Sequence, residues 1–269
     1  MSNGICVVAQ NNSTTNYVKQ AYALALSILA KSPNTNISLI TNDEVPYNVF
    51  DKVIPIPWSD IAHNDWKIEN RYKVYHVTPY TNTIVFDADM LVLDNIAPIW
   101  NNLHNLSFAT NVKTYRNEII TSRYYRKAFD ANNLPDVYTG MYQFSKSTDA
   151  HNFVNFLDVI MKNWRVFYKK YAHKNMQNWN SVDLSAALAL KILNLDKYAL
   201  NSNSMLSFTH MKPHAQHWQH VPNKWTDVLP VDFGNDTIYI NGYKQSGVLH
   251  YVEDDFLTDD MLTWLREKI

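Results

Sequence analysis

Residues 83–95 read TIVFDADMLVLDN, an apolar run that is interrupted by Asp87 and Asp89. The run has the composition of a buried β-strand, and an unpaired carboxylate in such surroundings is prohibitively unstable. The two side chains leave the chain two residues apart and converge once the strand bends into a turn. The sequence therefore requires that the strand end deliver both carboxylates to a cation or to several hydrogen-bond donors.

The segments around this run alternate between strand-like and helical patterns. Short apolar, β-branched runs predict strands, and helical spacing follows the first of them, with Asn16 as the N-cap. This order predicts an α/β fold with an open, mostly parallel sheet, helices on both faces and a single domain over 1–269. The predicted strands are 4–10, 37–43, 52–57, 83–86, 138–146, TIYING and GVLHYV, and the predicted helices are 17–31, 69–77, 149–171 and 181–194.

Polar side chains follow several of the predicted strands, among them Gln10, Asn11, Asp87 and Asp89. Ligands of open α/β sheets bind at the carboxyl ends of the strands. Carboxylate ligation suits Mg²⁺ or Mn²⁺, and these ions usually share their coordination shell with phosphate oxygens. The aspartates therefore indicate a divalent metal that holds a diphosphate. The alternative is that they cap a turn or a following helix.

Composition narrows the class of protein. The 269 residues are 46% apolar, which is ample for the packed core of a globular protein. The chain opens without a signal-peptide pattern, and its longest nearly apolar stretch, 21–30, is shorter than the roughly 18 residues that span a bilayer. Cys6 is the only cysteine and lies in an apolar run that favours inert burial. We therefore expect a soluble, cytoplasmic protein with no transmembrane segment.

The net charge of −1 argues against a generic polyanion binder, but two segments are strongly basic. Residues 113–127 hold five cations and one acid, and residues 162–174 hold five cations and no acid. The second segment interleaves its cations with aromatic residues, which suits a phosphate-rich partner such as nucleic acid. The alternative is an ordinary amphipathic helix with its aromatic face in the core. The candidate contacts to such a partner are Arg123, Arg165, Lys169 and Lys170.

A histidine-rich stretch follows at 210–220. Its spacings could gather imidazoles on one helical face around zinc, but Pro213 and Pro222 argue against a long regular helix. The stretch also lacks a cysteine or a His-Glu-x-x-His context. Structural or acceptor-side histidines are therefore the favoured interpretation. The residues are His210, His214, His217 and His220.

Two blocks of the sequence, NYVKQAYALALSIL after the first strand and NRYKVYHVTPYTNTIVFDADMLVLDNI, carry a family resemblance. The chain resembles the donor-binding half of GT-A fold, nucleotide-sugar-dependent glycosyltransferases, and is most similar to the retaining family of glycogenin and bacterial lipopolysaccharide galactosyltransferases. The resemblance implies a donor-binding half at about 1–95, an acceptor half at about 96–269, and a UDP-sugar as the donor. It also implies that Mn²⁺ or Mg²⁺ binds Asp87 and Asp89. The donor contacts that it implies are Gln10, Asn11, Tyr17, Arg71, Lys73, Asp87 and Ala88.

Downstream matches are shorter. YTGMYQFS resembles the family segment in which a small residue lets backbone approach the sugar, which places Gly140 there. NWNSVDLSAAL resembles the segment whose acid lies beneath the transferred sugar, which makes Asp183 catalytic together with Asp89, although Leu184 replaces the usual glutamine. The family's third metal ligand matches His250, without the usual Gly, Lys, Pro and Trp companions, and His210 competes for that role.

The resemblance implies metal-dependent transfer of a sugar from a nucleoside diphosphate to an acceptor hydroxyl, with retention at the anomeric carbon. The basic segments suggest a polyanionic acceptor, either nucleic acid with a hydroxylated base or an anionic glycan such as lipopolysaccharide. A sugar nucleotidyltransferase is an alternative, but NNSTTN (11–16) contains no glycine for a phosphate-binding loop. A non-catalytic nucleic-acid-binding protein would leave the aspartates unexplained.

Overall fold

A computed structural model describes residues 2–58, 67–110, 112–120, 126–175, 177–196, 205–212 and 224–269. The centre of the structure is a six-stranded sheet, whose strands are β1 (Asn3–Val8), β2 (Ile37–Ile40), β3 (Lys52–Ile54), β4 (Asn82–Asp87), β6 (Leu106–Ala109) and β7 (Tyr138–Ser145). Their spatial order is β3-β2-β1-β4-β7-β6. The first four are parallel, and β7 runs antiparallel to β4 and β6. The mostly parallel α/β sheet predicted from the sequence is confirmed.

The register of the central strands sets the position of the aspartates. Val8 of β1 pairs with Asp87 of β4, and Val8 also pairs with Ile40 of β2. The residues that follow these three strands therefore leave the sheet at the same edge, where ligands of parallel sheets bind.

The described helices are α1 (Tyr17–Lys31), α2 (Val74–Val77), α3 (Ala97–Asn101), α4 (Lys127–Ala131), α5 (Thr148–Lys162), α6 (Trp164–Tyr171), α7 (Val182–Ile192), α8 (Trp225–Val228) and α9 (Asp259–Arg266). Helix α1 covers one face of the central sheet with an apolar side that includes Leu24 and Ile28. Helices α5 and α7 cover the other face. As predicted, the Asn16 side chain caps α1 by accepting a hydrogen bond from the Lys19 amide at 2.8 Å.

Two predicted helices differ from the structure in their detail. The segment 149–171 is divided into α5 and α6, because Asn163 has φ −124° and ψ 27°, outside the helical region. The segment 69–77 is a 3₁₀ helix (Lys67–Lys73) followed by the short α2, with a non-helical Asn70 inside the 3₁₀ helix. Helical spacing in the sequence indicated a helix in both places but not these interruptions.

Two small sheets flank the central one. The first, in the order β5-β12-β8, contains β5 (Met90–Val92), β8 (Phe208–His210) and β12 (Val248–His250). The second contains β9 (Val231–Gly234), β10 (Thr237–Ile240) and β11 (Tyr243–Lys244). His250 pairs with Met90 on one side and with His210 on the other. This pairing brings the end of the chain to the residues that follow β4.

Cys6 is fully buried in the core, as expected, and burial raises the pKa of its thiol to about 12. Among the described residues, every helix is too short or too polar to cross a lipid bilayer.

The Ser27 hydroxyl joins α1 to β5. It accepts a hydrogen bond from the Val92 amide at 2.9 Å and donates one to the Leu24 carbonyl at 2.7 Å, in a fully buried position. We expect Ser27→Ala to lower the free energy of unfolding by about 1–3 kcal/mol, because it leaves the buried Val92 amide without its hydrogen-bond acceptor. Urea denaturation measures this effect. The exposed Ser13→Ala is the control, and equal stability of the two variants would contradict the assignment.

Candidate functional site

Asp87, Asp89 and His250 form a cluster at the carboxyl end of the central sheet. Asp87 ends β4, and β5 begins at Met90, so the short Ala88-Asp89 connection crosses from the central sheet into the flanking one. Asp89 is thus followed by a strand rather than by a helix that it could cap. One ligand atom from each of the three side chains lies within 4.8 Å of the other two. The structure therefore brings together the two aspartates that the sequence indicated for a metal and the histidine that the family resemblance implied as the third ligand.

Hydrogen bonds fix the orientation of the His250 ring. Its Nε2 lies 2.8 Å from Asp89 Oδ2, and its Nδ1 lies 3.1 Å from the hydroxyl oxygen of Tyr138 on β7. Burial opposes ionisation of Asp89, but the charge and hydrogen bond of His250 outweigh burial and lower the pKa of this carboxyl. A ligating histidine commonly uses its second nitrogen to hold the ring, and Tyr138 provides that contact here.

Asp87 is paired with Arg71, whose Nε lies 3.0 Å from Asp87 Oδ1. Burial raises the pKa of Asp87; Arg71 acts in the opposite direction, and the neighbouring Asp89 adds to the rise. The two aspartates therefore differ in their affinity for protons. A second cation near Asp87 would favour its ionised form.

The cluster fits a divalent cation. Two ligands of one octahedral ion lie at most about 4.2 Å apart, which is twice a metal–oxygen distance of about 2.1 Å. The observed limit of 4.8 Å therefore requires only a small inward movement of the side chains. Two carboxylates and an imidazole suit Mn²⁺, because carboxylate oxygen favours hard ions and imidazole nitrogen favours transition metals.

Gly140, on β7, lies directly against this cluster. A Cβ atom at this position would collide with the Asp87 carboxylate and the Tyr138 ring, and it would press on the methyl group of Met90. The family resemblance implied that Gly140 allows a close approach between backbone and sugar, which stays a prediction. The structure supplies an additional reason for glycine, because any side chain here displaces a candidate metal ligand.

Asp183 is held firmly at the start of α7. Its Oδ1 accepts hydrogen bonds from the Thr139 amide at 2.8 Å and from the Thr139 hydroxyl at 2.5 Å, and its Oδ2 accepts one from Arg126 Nη1 at 3.0 Å. Ser181 caps the helix through the Leu184 amide. Leu184 itself is fully buried in the core, so the residue that replaces the family's glutamine points away from the site.

Arg126 belongs to the first basic segment, but its side chain is only 6% exposed and lies in the protein interior. It forms ion pairs with Asp136 and Asp183, and its guanidinium lies 4.0 Å from the centre of the Phe129 ring. Arg126 is therefore a buried counter-ion for Asp183. Arg123, the predicted acceptor contact in this segment, lies outside the described residues.

Lys212 is a site residue that the sequence reasoning missed. It follows β8, the strand parallel to β12, and it lines the same cavity as Arg71 and Asp183. Burial lowers the pKa of its ammonium group, while Asp183, Asp89 and Asp87 act in the opposite direction. No local pattern in the sequence marks Lys212, because its position depends on the pairing of β8 with β12.

The predicted donor contacts around β1 make different contacts in the structure. Asn11 accepts a hydrogen bond from the Val18 amide at 3.0 Å, and its own amide donates to Asp43 at 2.7 Å. Tyr17 starts α1, and burial, together with Asp89 and Asp87, raises the pKa of its hydroxyl to about 12. Gln10 follows β1 at the same edge, and Ala88 is buried between the two aspartates.

Lys73 lies in an ion pair with Asp158 of α5, at 3.5 Å, and Asp158 also accepts a hydrogen bond from the Tyr72 hydroxyl at 3.0 Å. The structure therefore provides a partner for Lys73 on the helical face of the sheet. Its contact with donor stays a prediction.

Helix α6 carries Arg165, Lys169 and Lys170 on an exposed face. Most of its aromatic side packs inward: Tyr168 is buried, and the Phe167 ring meets Phe156 edge to face with centroids 5.8 Å apart, whereas Tyr171 at the end of the helix is 40% exposed. The amphipathic helix proposed as the alternative is therefore the observed arrangement. The cations remain available to a partner on the outer face.

His210 stacks on His250, with the two ring centroids 4.8 Å apart and the planes 22° from parallel. It is fully buried and lies behind His250 rather than among the carboxylates. His214, His217 and His220 lie outside the described residues.

We expect Gly140→Ala to raise the dissociation constant for Mn²⁺ by about 10- to 100-fold, the usual effect of disturbing the groups that support a metal ligand. Isothermal titration calorimetry measures this constant. Gly234→Ala is the matched control, because a Cβ there meets no atom within 4 Å. Unchanged Mn²⁺ affinity in the folded Gly140→Ala protein would contradict the assignment of Asp87.

No protein-family model matches the chain, and no curated protein matches its sequence. Among solved structures, the galactosyltransferase LgtC in complex with donor and acceptor sugar analogs matches with a TM-score of 0.51 and 13% identity, over 98% of this chain and 93% of that one. The glycosyltransferase GlyE of Streptococcus pneumoniae TIGR4 matches with a TM-score of 0.47 and 13% identity, and the chain covers 61% of its length. The similarity to LgtC extends over nearly the whole chain, and the structure has the GT-A fold that the sequence predicted.

Proposed function

We propose that this protein is a metal-dependent glycosyltransferase that moves a sugar from a nucleoside-diphosphate sugar to an acceptor hydroxyl. The observation that carries the proposal is the cluster of Asp87, Asp89 and His250 at the carboxyl end of a GT-A sheet. In this position the cluster combines a ligand set for a divalent ion with the part of the fold that binds ligands. A sugar nucleotidyltransferase remains the second candidate, with the same metal ligands.

Asp87, Asp89 and His250 would hold Mn²⁺, with Mg²⁺ as the less suitable ion because of the imidazole ligand. A bound divalent ion neutralises charge on a departing diphosphate. Hydrogen bonds to Asp89 and Tyr138 fix the His250 ring, and the close packing of Gly140 leaves room for the Asp87 carboxylate.

The charges around the cluster suit a diphosphate donor. Arg71 and Lys212 line the cavity beside the aspartates, and both can approach phosphate oxygens that enter it. In a site removed from bulk water such fixed cations stabilise developing negative charge strongly. Uridine is the nucleotide that the family resemblance implies, with Gln10, Asn11 and Tyr17 at the edge where a base would lie.

Asp183 would lie beneath the transferred sugar. Thr139 and Arg126 fix both of its oxygens, and Oδ2, which accepts one described hydrogen bond, keeps capacity to accept another from a sugar hydroxyl. This arrangement supports a role in holding the sugar in a set orientation. Retention at the anomeric carbon is the outcome that the family resemblance implies.

The exposed cations of α6 support an anionic acceptor. Arg165, Lys169 and Lys170 face outward, and Tyr168 ties the helix to the start of α7 through a hydrogen bond to the Ser181 carbonyl at 3.1 Å. Stacking of successive nucleic-acid bases needs several exposed rings, whereas the rings of Phe167 and Tyr168 pack inward and, of the α6 rings, Tyr171 alone is exposed, at 40%. We therefore propose an anionic glycan rather than DNA with a hydroxylated base.

We expect Asp89→Asn to reduce metal-dependent release of nucleoside diphosphate by about 10²–10³, because an electrostatic element of the site is lost. The assay uses Mn²⁺ with a panel of nucleoside-diphosphate sugars, and Asp87→Asn should behave in the same way. The exposed Asp260→Asn of α9 is the control. Wild-type rates in both site variants would refute the metal role, and formation of a sugar nucleotide from sugar phosphate and nucleoside triphosphate would favour the nucleotidyltransferase.

We expect Lys169→Gln/Lys170→Gln to weaken binding of a polyanion and to reduce the salt slope of its affinity by about one per cation removed. Fluorescence anisotropy would compare a teichoic-type polyol phosphate with a hydroxymethylated oligonucleotide of equal charge. The control is Lys52→Gln on the edge strand β3. A flat salt response of the wild-type protein would refute the anionic acceptor, and tighter binding of the oligonucleotide would favour DNA.

A further inference from the structure

An open cavity of about 600 Å³ lies at the amino edge of the central sheet, where β1 begins and where the chain enters β2. The candidate metal cluster lies at the opposite edge, because Asn3 pairs with Asn82 whereas Val8 pairs with Asp87. The six residues of β1 separate the two edges by about 17 Å. The cavity is therefore distinct from the candidate metal site, and its volume is within the roughly 300–1,000 Å³ of ordinary small-molecule pockets.

The lining of this cavity is polar but uncharged. Among the described residues that line it, none is acidic or basic, and most of the polar ones are asparagines: Asn3, Asn34, Asn36 and Asn95. An amide side chain both donates and accepts hydrogen bonds. A phosphate or carboxylate that entered would lose hydration without meeting a fixed cation, which is unfavourable. The chemistry of the cavity therefore favours an uncharged ligand with many hydroxyl groups.

Hydrogen bonds fix the part of the lining that lies between α1 and α3. The Ser32 hydroxyl donates to Asn95 Oδ1 at 3.1 Å and accepts from the Ile96 amide at 3.1 Å. The Ala97 amide also donates to Asn95 Oδ1, at 2.7 Å. The Asn95 oxygen is thus committed to the protein, and its Nδ2 group keeps the capacity to donate to a ligand.

A second group of amides lies at the start of β1 and β2. Asn36 Nδ2 donates to the Asn3 carbonyl at 3.1 Å, and Asn3 Oδ1 accepts from Asn82 Nδ2 at 2.8 Å. These bonds leave Asn36 Oδ1 to accept from a ligand and Asn3 Nδ2 to donate to one. Asn34 is exposed, with φ 64° in the left-handed region. The lining therefore presents both donors and acceptors, and the protein sets the orientation of several of them.

Trp100 of α3 adds an aromatic surface to the same cavity. Its ring is half-buried and packs against the core beneath the sheet, so one side of the residue is anchored. An indole combines a flat apolar face with an N–H donor. A pyranose ring complements both, because the C–H groups of one face lie together while the hydroxyl groups project around the edge.

We propose that this cavity binds an uncharged saccharide, with the apolar face of a pyranose ring on Trp100 and hydroxyl groups on the asparagine amides. The proposal goes beyond the proposed function and does not depend on it, since it involves neither the metal cluster nor the donor. In a glycosyltransferase the site would provide a second contact with a glycan, at the edge of the sheet remote from the reaction.

The first test is isothermal titration calorimetry of the whole chain with maltotriose, mannotriose, galactotriose and triacetylchitotriose, in the absence of metal and nucleotide. We expect at least one of them to bind. Asn34→Gly/Asn36→Ala should raise its dissociation constant by about tenfold, because hydrogen-bonding groups are lost. Glycine suits the backbone at Asn34. The matched control is Asn117→Gly, which replaces another exposed asparagine with a positive φ, 68°, outside the cavity.

Substitutions of Trp100 test the aromatic contact. Trp100→Phe keeps a ring but removes the N–H donor, so part of the affinity should remain, whereas Trp100→Ala should raise the dissociation constant by about tenfold or more. Mn²⁺-dependent release of nucleoside diphosphate without acceptor should be unchanged in all of these variants. Urea denaturation monitors the fold, and the exposed Asn34→Gly/Asn36→Ala variant carries the test if Trp100→Ala does not fold.

Hydrogen–deuterium exchange locates the bound saccharide. We expect the trisaccharide to slow exchange at residues 32–36 and 95–100. Binding of none of the trisaccharides, equal affinity of Asn34→Gly/Asn36→Ala and the wild-type protein, or protection confined to the metal cluster would each overturn the proposal. Tighter binding of trigalacturonate would overturn the uncharged ligand.

The same measurements separate this site from the proposed function. Saccharide binding at the cavity of a protein that releases no nucleoside diphosphate would retain the site and refute the transferase. Release of nucleoside diphosphate by a protein that binds no trisaccharide would refute the site alone.

Discussion

Partial burial of three carboxylates close together at one edge of the central sheet is the constraint on which the rest of the structure depends. Asp87, Asp89 and Asp183 come from β4, the β4–β5 connection and α7, and their mutual repulsion would be costly without nearby cations. Each carboxylate has its own partner: Arg71 for Asp87, His250 for Asp89 and Arg126 for Asp183. Lys212 lines the same cavity as Arg71 and Asp183.

The need for a separate partner for each carboxylate explains why distant parts of the chain meet at this edge of the sheet. The flanking sheet brings β12 beside β5, and without that pairing His250 would not reach Asp89. β7 supplies Tyr138, Thr139 and Gly140, which respectively hold His250, hold Asp183 and leave space for Asp87. A divalent ion and a diphosphate carry opposite charges, so both can enter together without disturbing this balance.

Local sequence patterns predicted the parts of the site that lie close together along the chain. Asp87 and Asp89 interrupt an apolar strand, and Asn16 precedes a helical period, so both were visible without a structure. Lys212 was not, because its role depends on β8 pairing with β12, two strands that are forty residues apart. Arg126 was not predicted as a site residue for a related reason: a cation in a basic segment indicates a solvated surface until its partner, Asp183, is known. Local sequence patterns therefore do not reveal contacts between residues that are far apart along the chain, such as the β8–β12 pairing and the Arg126–Asp183 ion pair.

We propose that Asp87, Asp89 and His250 bind one divalent ion that in turn holds a nucleoside diphosphate. Diffraction at the manganese absorption edge, from crystals grown with Mn²⁺ and uridine diphosphate, tests this directly. We expect one anomalous peak within coordination distance of both carboxylates and of His250 Nε2, with diphosphate oxygens completing the shell. A peak elsewhere, or an ordered diphosphate with no peak at these three residues, would contradict it.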